Sequence, residues 1–426
     1  MLIEFSVGNY LSIKDKQTLR MDASSITEYQ DRLIDAGRYK LLRSAVIYGA
    51  NASGKSNVLK AMATMRQIIT TSAAQSSTAT IPVEPFLLST ETEHAPSYFE
   101  MLFLLDGVRY RYGFEADAER VHAEWLFEQR KLKEKALFVR EGESIEVSTS
   151  FKEGKGLEGR TRDNALFLAI CDQFNGEKST EIIMYISMIF SLSGTKHEHY
   201  RKLLAKLLEI EEYKKIFIQI MQYSNFGFKG MKFKVSKDKI ESKVKVDIER
   251  QSENNPDGID FDDFMSTIET VHEKFDNNKV KISSILFDLH NNESEGTKKF
   301  IDILSNIVIC LLDGYLAIVD ELDAKMHPLL TSKIVNLFND PETNPKGSQL
   351  IFATHDTNLL SYGQFRRDQI YFTEKDKYGV TSLYSLVDYK EEDGSTVRKD
   401  RSFEKDYIQG RYGAIPYIGD FSKLFS

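Results

Sequence analysis

The alternation of apolar and polar positions predicts mainly strands in the first 150 residues, arranged around one helix. The run IEFSV (3–7) alternates, and the mostly apolar run SAVIY (44–48) leads into a glycine-rich turn, as expected of a buried strand. Asp106-Gly107 is the commonest two-residue hairpin signal. It separates YFEMLFLL from VRYRYGFEA, and VHAEWLFEQ and ALFVRE follow. Together these runs predict an antiparallel meander.

The apolar spacing changes to three and four residues between positions 165 and 285, which predicts a mainly helical stretch. The runs that carry this spacing are NALFLAICDQF, TEIIMYISMIF and HYRKLLAKLLEIEEYKKIFIQIMQY. Within the stretch, the acidic segment 249–263 is interpreted as a solvated loop.

After residue 290 the pattern alternates helix, strand, helix, strand, which is typical of a parallel α/β sheet. The four runs are GTKKFIDILSNIVICLL, GYLAIVDE, HPLLTSKIVNLF and SQLIFATHD. The sequence therefore predicts an α/β fold in three regions. These are an N-terminal lobe at 1–164 with the glycine-rich turn and the meander, a mainly helical arm at 165–285, and a C-terminal lobe at 286–426.

Charge, cysteine content and apolar runs bear on nucleic-acid binding, disulfides and membrane contact. The net charge of −8 gives no overall signal for nucleic acid. The lysine-rich segment 229–246 is dense enough to meet a phosphate backbone, or else forms a solvated face. Cys171 and Cys310 lie far apart in apolar runs, which predicts packing rather than disulfides. Without a long uncharged apolar stretch or an export signal, a cytoplasmic protein with no membrane contact is expected.

One segment between a predicted strand and a predicted helix carries a phosphate-binding pattern. The pattern G-x-x-x-x-G-K-[ST] is matched completely by Gly49-Ala50-Asn51-Ala52-Ser53-Gly54-Lys55-Ser56. Such a loop points successive N–H groups at phosphates, and the following helix adds its positive N-terminal end. We expect Lys55 to contact the outer phosphates, Ser56 to bind Mg²⁺ and Asn57 to lie in the same site. The alternative is an ordinary glycine-rich turn.

Two further predicted strands end in polar residues suited to nucleotide chemistry. LAIVDE ends in Asp320, expected near or on Mg²⁺, and Glu321, expected to polarise the attacking water. FATHD places His355 where it can hydrogen-bond the γ-phosphate. Exposed charges at a strand end and a bystander histidine are the alternatives.

The polar stretch NNESEGTKKF (291–300) opens a predicted helix. Ser294 can cap this helix, and Ser294 with Gly296 can offer a hydroxyl and bare N–H groups to an anion. A plain N-cap is the alternative.

These motifs follow the order of the ATP-binding-cassette (ABC) ATPases: phosphate-binding loop, signature-like helix, acidic strand, histidine. The chain resembles their soluble branch, which includes RecF, the SMC proteins and the OLD family. It resembles more closely the RloA and AbiLi ATPases and the AriA ATPase of the PARIS system, which belong to bacterial anti-phage defence. The stretches that carry the resemblance are FSVGNYLSIKD, YGANASGKSN, ESEGTKKF, IVDELDAKMHP, FATHDTNLL and YIQGRYGAIP.

The chain departs from the family at two motifs. The transporter signature is LSGGQ, whereas Glu293, Glu295 and Thr297 occupy its first, third and fifth positions, which argues against a transporter subunit. His327 stands where the family's D-loop usually carries aspartate. Gln75 and Glu84 are candidates for the Q-loop, without a motif to support either.

The resemblance implies an ABC-type ATPase with ATP and Mg²⁺ as cofactors. It also implies a homodimer or larger oligomer in which the signature residues Ser294, Gly296 and Thr297 of one chain close over the nucleotide of another. It further implies a role as sensor or regulator in abortive infection, controlling a separate RloB-like or Toprim-like nuclease. Two alternatives remain open: a RecF- or SMC-like DNA clamp that uses the lysine-rich segment, and a scaffold that binds ATP without turnover.

Overall fold

The computed structural model describes residues 1–193, 210–224, 226–233, 268–361, 363–391 and 393–415. Its strands are β1 (Leu2–Gly8), β2 (Gln17–Arg20), β3 (Ile34–Ala36), β4 (Tyr39–Leu41), β5 (Ser44–Gly49), β6 (Ser97–Leu105), β7 (Val108–Ala116), β8 (Val121–Gln129), β9 (Lys135–Glu141), β10 (Ser144–Val147), β11 (Phe190–Ser193), β12 (Gly230–Phe233), β13 (Ile268–Phe275), β14 (Lys281–Asp288), β15 (Leu316–Asp320), β16 (Gln349–Ala353), β17 (Ile370–Lys375) and β18 (Thr381–Ser385). Its α-helices are α1 (Lys55–Thr71), α2 (Phe167–Gln173), α3 (Glu177–Ser187), α4 (Glu211–Tyr223), α5 (Leu289–Asn292), α6 (Glu295–Asp313), α7 (Pro328–Asn339), α8 (Asn358–Ser361) and α9 (Phe403–Ile408).

The chain folds into two compact units. The first unit comprises residues 1–191, 314–322 and 332–426, and the second comprises 192–313 and 323–331. The chain therefore leaves the first unit after α3 and returns to it at β15.

The first unit contains an antiparallel sheet of seven strands in the order β10-β9-β8-β7-β6-β1-β2. Its meander turns at Asp106 and Gly107, which both adopt positive φ angles (48° and 74°), as a two-residue hairpin requires. One face of the sheet packs into a core that it shares with α1. Phe103 from β6 and Met65 from α1 are members of this core, and both are fully buried.

The second sheet of this unit has the order β11-β15-β16-β5-β17-β18. Strands β15, β16, β5 and β17 are parallel, and β18 is an antiparallel hairpin partner of β17. The buried strand β5 therefore lies between β16 and β17. Since all four parallel strands end at the same edge, the residues that follow β5, β15 and β16 are brought together there.

The second unit combines α4 and α6 with the small antiparallel sheet β12-β13-β14. Phe217 and Met221 of α4 and Phe300 of α6 are buried. The Tyr213 hydroxyl donates to the Asp313 carboxylate at 2.8 Å, which ties the start of α4 to the end of α6.

The predicted α/β fold is confirmed, including the meander, the hairpin and the helix–strand alternation after residue 290. Two features of the predicted arm differ. Helices α2 and α3 belong to the first unit, where the Phe167 ring packs 4.9 Å from Phe138 of β9. Strands β13 and β14 lie in a stretch predicted to be mainly helical. A helical period does not tell which unit a helix packs against. In IETVHEKF the apolar residues Ile268, Val271 and Phe275 are spaced three and four apart, so this strand carries the spacing that predicts a helix.

Several predictions fall outside the described residues. These are the predicted helix over 199–209, the lysine-rich segment beyond residue 233 and the acidic segment 249–263. Cys171 and Cys310 are buried, as predicted, and neither forms a disulfide within the described part of the chain. Within the described part of the chain, every helix is too short or too polar to cross a lipid bilayer. The functional division into lobe, arm and lobe remains a prediction.

Candidate nucleotide-binding site

The phosphate-binding loop connects β5 to α1, and its two glycines are required by close packing. A Cβ atom on Gly54, whose φ angle is +110°, would lie 2.3 Å from the Thr381 Oγ1 atom. A Cβ atom on Gly49 would lie 2.5 Å from both Ser53 Oγ and Thr373 Oγ1. Gly54 also caps α1, because the Val58 N–H donates to its carbonyl at 3.2 Å. The loop therefore curls tightly at the positive end of a helix of 17 residues.

Lys55 begins α1, and its side chain is 7 % exposed. Its ammonium group donates to the carbonyls of Gly49 at 2.8 Å and Ala50 at 3.0 Å. These bonds hold the positive charge against the curled loop, where a phosphate would meet it.

The acidic pair follows β15, and its two members have different surroundings. Asp320 is half-buried, and its Oδ1 atom is buried without a hydrogen-bond partner among the described residues. Glu321 is exposed and adopts a left-handed backbone with φ of 53°. Leu322 is fully buried, and its N–H donates to the Ala353 carbonyl at 3.2 Å. The chain is thus fixed on both sides of the exposed Glu321.

The loop after β16 carries His355 and is tied to the strand that precedes the phosphate-binding loop. The Thr354 hydroxyl accepts the Asp356 N–H at 3.0 Å. The Tyr48 hydroxyl donates to the Asp356 carbonyl, also at 3.0 Å. Since Tyr48 directly precedes Gly49, the position of the histidine loop is coupled to that of the phosphate-binding loop.

These elements line one cavity of about 500 Å³. Its lining comprises Asn51, Ala52, Ser53, Gly54, Lys55, Ser56, Asn57, Asp320, Glu321, Ala353, Thr354, His355 and Lys375. Gly49 and Ala50 support the loop from behind and do not belong to the lining. The catalytic and metal-binding residues expected in this unit therefore converge on one cavity.

Sequence reasoning missed Thr354 and Lys375. Thr354 is buried directly before His355. Lys375 ends β17, which pairs with β5 so that Thr373 lies opposite Gly49. Only the strand order brings Lys375 to the cavity, and no motif around it signals this position.

The donor set fits Mg²⁺ bound together with phosphates. A buried carboxylate oxygen without a partner is costly, and a cation beside Asp320 would satisfy it. No group of three or more His, Cys, Asp or Glu side chains that could hold a metal occurs among the described residues. Mg²⁺ does not need one, because it binds through one or two protein oxygens, waters and the phosphates of its substrate.

Ser294, Gly296 and Thr297 belong to the second unit and are not part of this lining. The Ser294 hydroxyl accepts the Thr297 N–H at 3.2 Å and lies 2.9 Å from the Thr297 hydroxyl, so the predicted N-cap is present. A Cβ atom on Gly296 would lie 2.6 Å from the Lys325 carbonyl. Their contact with a nucleotide stays a prediction.

His327 and the two Q-loop candidates make local contacts. The His327 Nδ1 atom accepts the Leu329 N–H at 3.2 Å, so this side chain caps α7. The Gln75 carbonyl accepts from Arg162 at 2.6 Å, and the Glu84 carbonyl accepts the Leu11 N–H at 2.8 Å. Neither candidate lines the cavity, so the Q-loop remains unassigned.

Aromatic residues near the end of the chain pack behind the loop. The Tyr407 ring lies 5.6 Å from Tyr48 and 5.3 Å from Phe372, and the Tyr412 ring lies 5.6 Å from Phe372. Burial raises the pKa of Tyr407, against the opposing effect of a hydrogen bond with the Gly49 backbone. The YIQGRYG part of the terminal motif thus supports the strand that carries the phosphate-binding loop.

A slightly larger cavity of about 540 Å³ lies elsewhere in the first unit, between the residues around Tyr29, Phe365 and Phe403. Its arginines are paired, Arg367 with Glu28 at 2.7 Å and Arg401 with Asp406 at the same distance. It contains neither the phosphate-binding loop nor the acidic pair, so the smaller cavity is the better candidate for chemistry.

We compared the chain with curated proteins, solved structures and protein-family models. None of the curated proteins compared with the chain matches it. Among solved structures, the chain is similar to an SMC head domain from Thermotoga maritima, at 10% identity and a TM-score of 0.42, over 90% of this chain and 98% of that one. A family model described as "AAA domain, putative AbiEii toxin, Type IV TA system" matches residues 44–361. Because this match spans more than half of the 426 residues, the chain belongs to that AAA family of P-loop ATPases.

Proposed function

We propose that this protein binds ATP with Mg²⁺ in the 500 Å³ cavity and hydrolyses it. The observation that carries this proposal is the Asp320 Oδ1 atom, which is buried without a hydrogen-bond partner among the described residues and belongs to the same cavity as a complete phosphate-binding loop. A γ-phosphate seated on the loop needs a cation beside it, and the Asp320 carboxylate needs the same cation.

The loop backbone and five side chains of the cavity each have one task in this reaction. The loop N–H groups and the Lys55 ammonium hold the phosphates and balance their charge. Ser56 and Asp320 hold Mg²⁺, which would neutralise charge on the phosphate oxygens. The exposed Glu321 carboxylate orients a water molecule and accepts its proton, and the His355 imidazole hydrogen-bonds the γ-phosphate.

The Glu321→Gln variant tests the hydrolysis. An amide cannot accept the proton, so we expect kcat to fall at least about a hundredfold, as is typical for loss of a general base. ATP affinity should stay within about threefold, because the loop, Lys55 and Asp320 are intact. Phosphate release and equilibrium binding of a fluorescent ATP analogue measure the two quantities. An unchanged kcat would remove Glu321 from the mechanism, and Lys55→Ala serves as the control that loses binding.

We further propose that ATP binding and hydrolysis drive a switch in a bacterial anti-phage system, in which this chain is the sensor or regulator of a separate toxic effector. The family description names a putative toxin and a toxin–antitoxin system, which supports a role in such conflict systems. The motif resemblance to the RloA, AbiLi and AriA ATPases supports the same role. The DNA-clamp alternative rests on the lysine-rich segment, most of which lies outside the described residues.

Phage challenge of cells that carry the native operon tests this role. Wild-type protein should reduce plaque formation, and Lys55→Ala should restore it. The Glu321→Gln protein, purified from the same operon with ATP, should carry the effector with it. Protection that survives Lys55→Ala would contradict the proposed switch. Steeply salt-dependent DNA binding without an effector would favour the clamp.

A further inference from the structure

Glu293 directly precedes the signature-like Ser294, and its carboxylate is held inside the second unit. The side chain is only 9% exposed. Its Oε1 atom lies 2.8 Å from the His272 Nε2 atom and accepts a hydrogen bond from the Thr270 hydroxyl. A carboxylate can only accept, so the His272 ring donates its Nε2–H to Glu293.

The two donors are themselves fixed by packing. Both lie on β13, the central strand of its three-stranded sheet, and Thr270 is fully buried. The His272 ring lies 4.4 Å from the Phe287 ring of β14 and 6.0 Å from the Phe228 ring, which meets it edge-on. The histidine therefore has little freedom, and neither has the carboxylate that it binds.

Removing the Thr270 or the His272 donor would leave the mostly buried Glu293 carboxylate with one hydrogen bond fewer, which costs free energy. Ser294 is the next residue along the chain and caps α6 through the Thr297 N–H. A shift of Glu293 would therefore move the Ser294 hydroxyl and the N–H groups at the start of α6. This contact also explains the departure from LSGGQ, because a leucine in the first position could not accept these hydrogen bonds.

We propose that His272 is a positioning residue for the signature-like turn. It donates to Glu293 and so holds Ser294 and Gly296 in the orientation that meets the γ-phosphate of a nucleotide bound by a second copy of this chain. The proposal rests on the proposed ATPase function. It assigns the small sheet β12-β13-β14 the task of supporting the turn that completes a neighbouring chain's site.

Two substitutions separate this role from simple packing. His272→Phe keeps an aromatic ring between Phe228 and Phe287 but removes the donor. His272→Gln loses the ring but keeps an N–H near the position of Nε2. We expect His272→Phe to lower two quantities at least about tenfold: kcat, and the constant for association of two chains in the presence of ATP. The affinity of the monomer for ATP should not change. His272→Gln should keep both within about threefold of wild type.

The proposal would be overturned if His272→Phe were active and His272→Gln inactive, because the aromatic ring rather than the hydrogen-bond donor would then matter. It would also be overturned if both variants had the kcat and association constant of wild type. If His272→Phe does not fold, as judged by circular dichroism and thermal unfolding against wild type, the His272→Gln result decides alone, and loss of both quantities in His272→Gln overturns the proposal. His122→Phe is the matched control, because it breaks a comparable histidine–carboxylate pair, with Asp117 at 2.6 Å, in the first unit. If the wild-type protein neither hydrolyses ATP nor forms dimers in its presence, that result would instead contradict the proposed function.

Discussion

At the scale of single residues, Asp320 and Glu321 are neighbours with different surroundings, because Asp320 is half-buried and Glu321 is exposed. The left-handed backbone of Glu321 costs about 1–2 kcal/mol for a residue other than glycine. Glycine would remove this cost but also the carboxylate. The strain is therefore the consequence of placing a charged side chain at a sharp turn between a strand end and the buried Leu322.

Lys375 is one of two cavity residues that the sequence motifs did not reveal, and it supplies a second positive charge beside the phosphate-binding loop. We expect Lys375→Ala to weaken ATP binding about two- to fivefold, because an exposed charge contributes up to about 1 kcal/mol. The loss should shrink at high salt, since solvent-exposed charges are screened. Titration with a fluorescent ATP analogue at two salt concentrations measures this effect.

Lys377→Ala is the matched control for Lys375→Ala. Lys377 lies two residues further along, in the turn between β17 and β18, with its ammonium 4.9 Å from the centre of the Tyr378 ring. It is exposed and does not line the cavity. Equal effects of the two substitutions would show that Lys375 acts only through overall charge.

The sequence predicted residues whose chemistry is written in a local pattern. The phosphate-binding loop is one such case, because two glycines, a lysine and a serine at fixed spacing specify the turn. Thr354 and Lys375 could not be predicted in the same way. Their position depends on which strands neighbour β5, and strand order is a long-range property.

At the scale of secondary-structure elements, α2 begins on a buried carboxylate supplied by the antiparallel sheet. Glu124 of β8 is fully buried and accepts the N–H groups of Phe167 and Leu168 at 2.6 and 3.0 Å. The Tyr112 hydroxyl donates to it at 2.9 Å. Because a sheet residue satisfies the start of α2, this helix is part of the first unit.

The stability contributed by Glu124 should depend on pH. Burial raises the pKa of the Glu124 carboxyl above its ordinary 4.5, against the opposing effects of the Leu168 N–H, Arg140, the Phe167 N–H and Tyr112. The folded protein therefore keeps a proton that the unfolded chain releases above pH 4.5. The stabilisation is complete below that pH and is lost as the pH rises through the folded pKa.

Glu124→Gln tests this dependence by urea unfolding at several pH values. The free energy of unfolding of the variant should be about 1–3 kcal/mol lower than that of wild type near pH 5. The reason is that an amide nitrogen, which cannot accept a hydrogen bond, replaces one of the two accepting oxygens of Glu124. The difference from wild type should shrink as the pH rises, and a growing difference would contradict the assignment. Glu141→Gln is the control, because Glu141 is exposed at the end of β9 and its replacement should change the stability by less than about 0.5 kcal/mol.

Among the elements, those with a long and regular period were predicted correctly, as α6 illustrates with its buried Phe300, Ile303, Leu304 and Ile307. The hairpin β13–β14 was not predicted. Six of the eight residues of β14 are exposed, from Lys281 to Leu286, so this strand lacks the one-sided apolar pattern that signals a half-buried strand.

At the scale of the whole molecule, we propose that ATP joins two copies of the chain. The phosphate-binding cavity lies wholly in the first unit, and the signature-like Ser294 and Gly296 lie in the second. The sequence resemblance implies that the second unit of one copy closes over the nucleotide of the other. A single chain carries no pattern that fixes the size of its assembly, so this claim needs a measurement in solution.

The most direct measurement is the mass of the Glu321→Gln protein in solution, by sedimentation, with and without ATP and Mg²⁺. We predict a monomer without nucleotide and a dimer, or an assembly of dimers, with it. Adding Ser294→Asp should abolish the association, because aspartate preserves the N-cap but repels a phosphate. A protein that binds ATP yet stays monomeric, or one that associates equally well with Ser294→Asp, would contradict the account.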